Sequence, residues 1–291
     1  MSAPNVVRDD AWVVSFHETG TKPPLFCPCP GNGDVFEYRD FAEALPSDQP
    51  IYAFGLPPNE QGIEVPTVER LAAIYVRKVR QLQKRGPYQL CGYSFGGLVV
   101  YEMAVQLMEQ GDEVGILALI DTRHPRYSQN LPTRHKVEFH FIYFCNRIAK
   151  YARNMFNLRI GTIVSDVFRL GYHRTRTLVW RGFRAVRGKR GRWISNSLRD
   201  STIVLKLAWN RYAPRRYHGP LLLLKAFERP PEYARDQTLG WEVCATGAIA
   251  VHNVPGDHYA IMHPPQVRTL VDQLMPYLVP TATILNQTRK G

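Results

Sequence analysis

Tyr88-Gln-Leu-Cys-Gly92-Tyr-Ser94-Phe-Gly96-Gly-Leu-Val-Val-Tyr-Glu-Met-Ala104 decides how this chain is read. Residues 88–92 are short and apolar, as a buried strand requires, and residues 96–109 continue as an apolar helix that Gly111 can close. Between them lies a tight turn with glycine on either side of a serine. The next segment, residues 114–120, is a continuous apolar run of the kind found in strands covered on both faces. Strand, helix and strand in this order predict a parallel βαβ unit and an α/β fold.

Working outward, the alternation extends in both directions. Upstream, residues 12–16, 24–29 and 51–55 read as strands punctuated by glycine and proline, and residues 35–45 read as a helix. Thr67 is a good helix N-cap, with Arg70 rather than Glu three residues on, so no capping box forms. The helix it opens places Val68, Leu71, Ile74, Tyr75, Val79 and Leu82 on one face, and Gly86-Pro87 ends it. Downstream, sheet-like sequence resumes at residues 219–225 and 248–254, and a last helix covers about residues 265–278. The interval from 123 to about 210 breaks the pattern. It is helix-like, basic and rich in aromatics, so the simplest organisation is one α/β domain over residues 1–291 with a helical insertion at about 123–210.

Composition narrows the class. At 291 residues and 45% apolar, the chain can bury a large core, and disorder is excluded as its general state. No run of eighteen apolar residues occurs, so no membrane-spanning helix is expected. Residues 1–10 lack an apolar core and a small-residue cleavage site, so no secretory signal is read and a cytoplasmic location is expected. The five cysteines, Cys27, Cys29, Cys91, Cys145 and Cys244, are expected to be free thiols. The Cys27–Cys29 spacing has no second pair to complete a zinc site, so neither a metal nor a bound cofactor is expected.

The glycine–serine turn carries the chemistry. Gly92-Tyr-Ser94-Phe-Gly96 fits the G-x-S-x-G pattern at a strand-to-helix junction, where glycines relieve backbone crowding and the serine is lifted to a helix N-terminus. A serine hydroxyl needs a base. His258 follows the strand at 248–254 in the loop Pro255-Gly-Asp-His-Tyr259, beyond the carboxyl end of the last strand, and is the favoured base. His252 reads as structural within that strand, and His263 as a cap on the last helix. The acid is open between Asp121, directly after the strand that follows the turn, and Glu228, just past the strand at 221–225. Asp121 is preferred because a short turn beside a buried strand fixes it better, and Asp257 is too near His258 in sequence to support the ring. The oxyanion hole is expected to use the backbone N–H of Phe95 and a second from Gly31 in the loop Pro28-Cys-Pro-Gly-Asn-Gly33.

These residues also carry a resemblance. The stretch from Gly86 to Ala104, Tyr212-Ala-Pro214 with His218-Gly-Pro-Leu221, and Val254-Pro-Gly-Asp-His258 resemble the thioesterase domains that terminate nonribosomal peptide synthetases and polyketide synthases. The similarity covers about residues 24–280, weakly across the insertion. It implies an α/β-hydrolase fold, a Ser94–Asp121–His258 triad, a helical lid between acid and base, and release of an acyl, peptidyl or polyketide chain from a phosphopantetheinylated carrier protein. One departure is visible: many members begin the oxyanion loop with His-Pro, where this chain has Cys29-Pro30. An esterase acting on small oxygen esters, and a catalytically silent binding protein of the same fold, stay open at this level.

Charge is strongly localised. Between Arg123 and Arg216 stand 22 lysines and arginines against three acidic residues, so this segment carries +19 and the remainder −7 of the net +12. Arg181, Arg184, Arg187 and Arg190 form its densest part. One reading is a solvated lid; the other is a docking surface for an acidic carrier protein, with arginine suited to the phosphate of its arm. No nucleic-acid fold accompanies the charge, so nucleic acid is not expected as a partner, nor is membrane contact.

Overall fold

The computed structural model describes residues 5–6, 12–57, 67–127, 137, 141–142, 144–145, 201–230, 233 and 236–278. The chain divides into two compact units. The first comprises Met1–Asn59, Glu64–Asn130 and Asp200–Gly291; the second comprises Glu60–Ile63 and Leu131–Arg199. The densest basic stretch, Arg181 to Arg190, lies outside the described residues.

The first unit is built on an eight-stranded sheet: β1 (Asn5–Val6), β2 (Val13–His17), β3 (Leu25–Pro28), β4 (Ile51–Phe54), β5 (Tyr88–Tyr93), β6 (Val114–Ile120), β7 (Leu221–Ala226) and β8 (Ile249–Val254). Their order is β1-β2-β4-β3-β5-β6-β7-β8. The run from β4 to β8 is parallel, and β1 and β2 add an antiparallel edge. The helices are α1 (Arg39–Ala44), α2 (Val68–Leu82), α3 (Phe95–Glu109), α4 (Ser201–Arg211) and α5 (Gln266–Leu274). Every residue of β3, β5 and β7 is buried, which is why these strands are apolar runs rather than alternations.

The helices read as their periodicity demands. α2 buries Val68, Leu71, Ala72, Tyr75, Val76 and Val79, and Thr67 Oγ1 accepts from the Arg70 N–H at 3.2 Å as its N-cap. α3 is buried on nearly all sides, from Phe95 to Val105 without a break. α4 lies within the limits read for the insertion, yet Leu205 and Ala208 are buried in the same core as α2 and α3. The expected helix at 35–45 is instead a 3-10 turn (Val35–Tyr38) followed by α1, and the break falls at Tyr38. Its side chain is fully buried and its hydroxyl is used twice, as described below. The last helix stops at Leu274 and gives way to a 3-10 turn containing Pro276.

Parallel strands in register place their carboxyl ends together. Tyr93 faces Ile120, Ile120 faces Leu224, and Ala226 faces Val254 across neighbouring strands. The loops that follow β3, β5, β6, β7 and β8 therefore emerge at one edge of the sheet, where ligands of open α/β folds bind.

Candidate active site

Ser94 connects β5 directly to α3 and takes a positive φ of 54°. For a residue with a Cβ this is strained, and the surroundings hold it. Its N–H donates to Ile120 O at 3.0 Å, and its carbonyl accepts from the Gly97 N–H at 3.1 Å and from Thr122 Oγ1 at 3.0 Å. A Cβ at Gly92 would meet Gly96 O at 2.4 Å, and one at Gly96 would meet Pro28 O at 2.3 Å. The close approach of backbone to backbone, more than φ, makes both positions glycine.

The structure brings Ser94, His258 and Asp121 together. His258 Nε2 is 3.2 Å from Ser94 Oγ, and Nδ1 is 2.6 Å from Asp121 Oδ2. A carboxylate only accepts, so Nδ1 carries the proton and Nε2 is left to accept from the serine hydroxyl. Asp121 also has a positive φ, 44°. Its N–H donates to Leu224 O at 2.8 Å, and its Oδ1 accepts from the Ala226 N–H at 2.9 Å and from the Arg229 guanidinium. Glu228, the other acid considered, is exposed; its backbone N–H donates to Gly256 O at 3.0 Å. Asp257 Oδ1 accepts from the N–H groups of Tyr259 and Ala260, which shapes the turn after His258. His252 bonds to the Tyr277 hydroxyl at 2.7 Å. His263 does not cap α5 with its ring, which pairs with Asp40 at 2.8 Å; its carbonyl accepts from the Val267 N–H instead.

Burial pushes the His258 pKa down to about 4, helped by the nearby Arg229 and Arg123 and opposed by Asp257. The ring is therefore neutral, as a general base must be, across ordinary pH. Burial also pushes the Cys29 thiol up to about 12 and Cys27 well up, so both stay protonated at ordinary pH. Among the described residues no group of three His, Cys, Asp or Glu could hold a metal ion, and no helix is long and apolar enough to cross a membrane.

Gly31 lies against the start of α3: a Cβ built there would sit 3.6 Å from the Phe95 Cβ. Neither the Gly31 nor the Phe95 N–H has an acceptor among the described residues. Several supporting groups escaped sequence reasoning. The Tyr38 hydroxyl donates to Pro28 O at 2.8 Å and accepts from the Tyr93 N–H at 2.9 Å, joining the carboxyl end of β3 to that of β5, just before Ser94. The Tyr93 hydroxyl donates to the His258 carbonyl at 2.6 Å, and the two rings lie 5.0 Å apart. Thr122 is gripped in turn, its carbonyl accepting from Trp241 Nε1 at 2.8 Å. The cue in sequence for Arg229 was weak, an arginine three residues beyond a strand end.

A serine on a strained strand-to-helix turn, with an aspartate and a histidine brought to it from later strand ends of a mostly parallel sheet, places the chain among α/β-hydrolase folds. Residues 23–151 match the thioesterase domain family. Malpinin synthetase of Mortierella alpina is 38% identical over 125 residues, which is 41% of this chain and 2% of that protein. Malpibaldin synthetase of the same organism is 27% identical over 263 residues, 88% of this chain and 4% of that protein. The chain thus spans only a few hundredths of the length of these curated relatives. The NocB thioesterase domain, solved in covalent complex with a fluorophosphonate nocardicin G analog, superposes with a TM-score of 0.63 at 23% identity. The match covers 92% of this chain and 100% of that one. The resemblance to thioesterase domains of nonribosomal peptide and polyketide synthases is carried by these matches together with the motifs.

Proposed function

We propose that the chain is a chain-releasing thioesterase that takes an acyl, peptidyl or polyketide chain from the phosphopantetheine of a carrier protein through an acyl-Ser94 intermediate. The observation that carries this reading is the 3.2 Å approach of His258 Nε2 to Ser94 Oγ, with Asp121 on the far nitrogen, in a chain similar to thioesterase domains. His258 takes the Ser94 proton as Oγ attacks the thioester carbonyl carbon. The N–H groups of Phe95 and Gly31 hold the oxyanion. Collapse breaks the carbon–sulfur bond, and the imidazolium returns its proton to the departing thiol. Water, or a hydroxyl or amine on the chain or on a second acceptor, then attacks the acyl-serine with His258 again as base. The product is accordingly a free acid, a ring or a transfer product. The residues supply acid, base and nucleophile themselves, so no metal or bound cofactor takes part.

The carrier protein is the proposed partner, and the basic segment with Arg181, Arg184, Arg187 and Arg190 is its proposed docking surface, by charge. Intact-protein mass spectrometry after mixing with acyl-loaded carrier protein tests the chemistry. A transient acyl mass is expected on the wild type and not on Ser94→Ala, whereas an unloaded carrier with no adduct on Ser94, or no unloading at all, refutes it. Turnover of the loaded carrier should fall as ionic strength rises; a flat salt series would remove the docking surface from the proposal.

A further inference from the structure

We propose that Arg229 is a positioning residue for the Asp121–His258 pair: its guanidinium fixes the plane of the carboxylate and its charge sets the proton affinity of the base. The inference rests on the triad reading above and goes beyond it. Asp121 has four lone-pair directions to satisfy in a site where its side chain is only 7% exposed. Oδ2 faces His258 Nδ1. Oδ1 faces away and accepts from two donors, the Ala226 N–H and Arg229 Nη2. Arg229 is itself anchored, because its Nε donates to Ala226 O at 2.7 Å. One peptide unit on each side of Ala226 thus grips the carboxylate and the guanidinium that holds it. The arginine side chain is 13% exposed, so this is no solvated surface pair of negligible worth.

This arrangement has two consequences. A carboxylate held by two donors on one oxygen cannot rotate to offer the other, so the imidazole meets a single fixed acceptor. The guanidinium also offsets the carboxylate charge that would otherwise favour the imidazolium. The groups facing the ring are Asp121 after β6, Arg123 two residues on, Arg229 after β7, Asp257 and Tyr259 of its own loop, and Tyr93 and Ser94 of the serine turn. Asp121 and Asp257 pull the proton affinity up, and the two arginines pull it down. Arg123 is partly occupied elsewhere, against the Trp209 and Tyr233 rings. Arg229, on the carboxylate itself, is the cation positioned to do both jobs.

The experiment is the pH dependence of the labelling rate of Ser94 by a fluorophosphonate probe, with the site of the adduct read by mass spectrometry. In Arg229→Gln the acid limb should move up by about one pH unit or more, so that labelling at the acid end falls roughly tenfold relative to the variant's own plateau. Arg229→Lys should return the limb toward wild type while its plateau stays lower, because one ammonium does not reproduce the planar two-point grip. An acid limb in folded Arg229→Gln that coincides with wild type overturns the inference. Should Arg229→Gln not fold, Arg229→Lys carries the test alone, and a plateau equal to wild type overturns it. A wild type that the probe does not label at all overturns the triad reading, whereas labelling with an unmoved limb overturns only the role of Arg229.

Discussion

The two sides of the catalytic edge are held in different ways. On the interior side, Ser94 and Asp121 follow β5 and β6, central strands, and both adopt positive φ. Ser94 and Asp121 are pinned by backbone bonds, to Ile120 and Leu224, and Thr122 is held by its hydroxyl on the serine turn and by the Trp241 indole on its carbonyl. On the outer side, His258 follows β8, the last strand, whose residues are mostly half-buried. Its loop depends on side chains, chiefly the Tyr93 hydroxyl on its carbonyl and Asp121 on its ring. Backbone strain persists only where packing over-determines the backbone, and both strained residues, Ser94 and Asp121, lie on the rigid side. His258, the proposed base, sits on the side that side chains can tune.

This contrast is broken first at the nucleophile. Ser94→Ala should reduce turnover of loaded carrier by about 10⁵-fold or more while leaving the melting temperature within a few degrees, because among the described residues the missing oxygen bonds only to His258. Asp121→Asn should cost about 10⁴-fold by favouring the wrong tautomer of His258. A loss under tenfold for Asp121→Asn would place the acid elsewhere, and Glu228 would return as the alternative. Next comes Thr122→Val, which removes the buried donor shared by Ser94, Gly92 and Ile120 carbonyls. We expect about 1–3 kcal/mol of lost stability by chemical denaturation, and unchanged stability would show that the interior side is held by packing alone.

The same contrast explains what the sequence disclosed. Ser94 was legible because strand, glycine and helix chemistry are all local to it. His258 was legible from its place in a loop beyond a strand. Asp121 was preferred over Glu228 only because a short turn beside a buried strand fixes it better, since each follows a strand; the backbone turn at Asp121 is what aims its carboxylate at His258. Strands β2 to β8 were read to within a few residues, but the two-residue edge strand β1 was missed, and the single helix expected at 35–45 is broken. Its break at Tyr38 serves bonds to Pro28 and to Tyr93, the latter 55 residues away. The link from Tyr93 to His258 spans 165 residues, and no local pattern encodes it. Long-range hydrogen bonds by lone side chains leave no periodicity. The basic segment proposed as a docking surface was read from charge alone, and its densest stretch, Arg181 to Arg190, lies outside the described residues.

A smaller effect is expected on the outer side. Tyr93→Phe removes one tether from the His258 carbonyl and keeps the ring contact at 5.0 Å. Turnover should fall roughly tenfold as the imidazole loses its fixed approach to Ser94, with little change in melting temperature. If stability falls and turnover does not, the tyrosine serves the fold rather than the base.

The finest test compares two histidines, one on each side. Burial pushes both His124 and His258 down to about 4, with Arg126 assisting at His124 and Arg229 and Arg123 at His258. In the unfolded chain each titrates near 6.5. Between those values the unfolded state binds the extra protons, so the contribution of these two histidines to stability falls as pH drops from about 6.5 to about 4 and levels off below. The two contributions are not equal. His124 is buried, accepts from the Arg126 N–H and packs edge-on against Trp241, whereas His258 is only half-buried and solvent screens it. Melting temperatures recorded across this window should therefore lose more of their slope in His124→Gln than in His258→Gln. If His258→Gln flattened the slope more, the base would be the more deeply desolvated of the two, and the outer side would be as closed to water as the interior one.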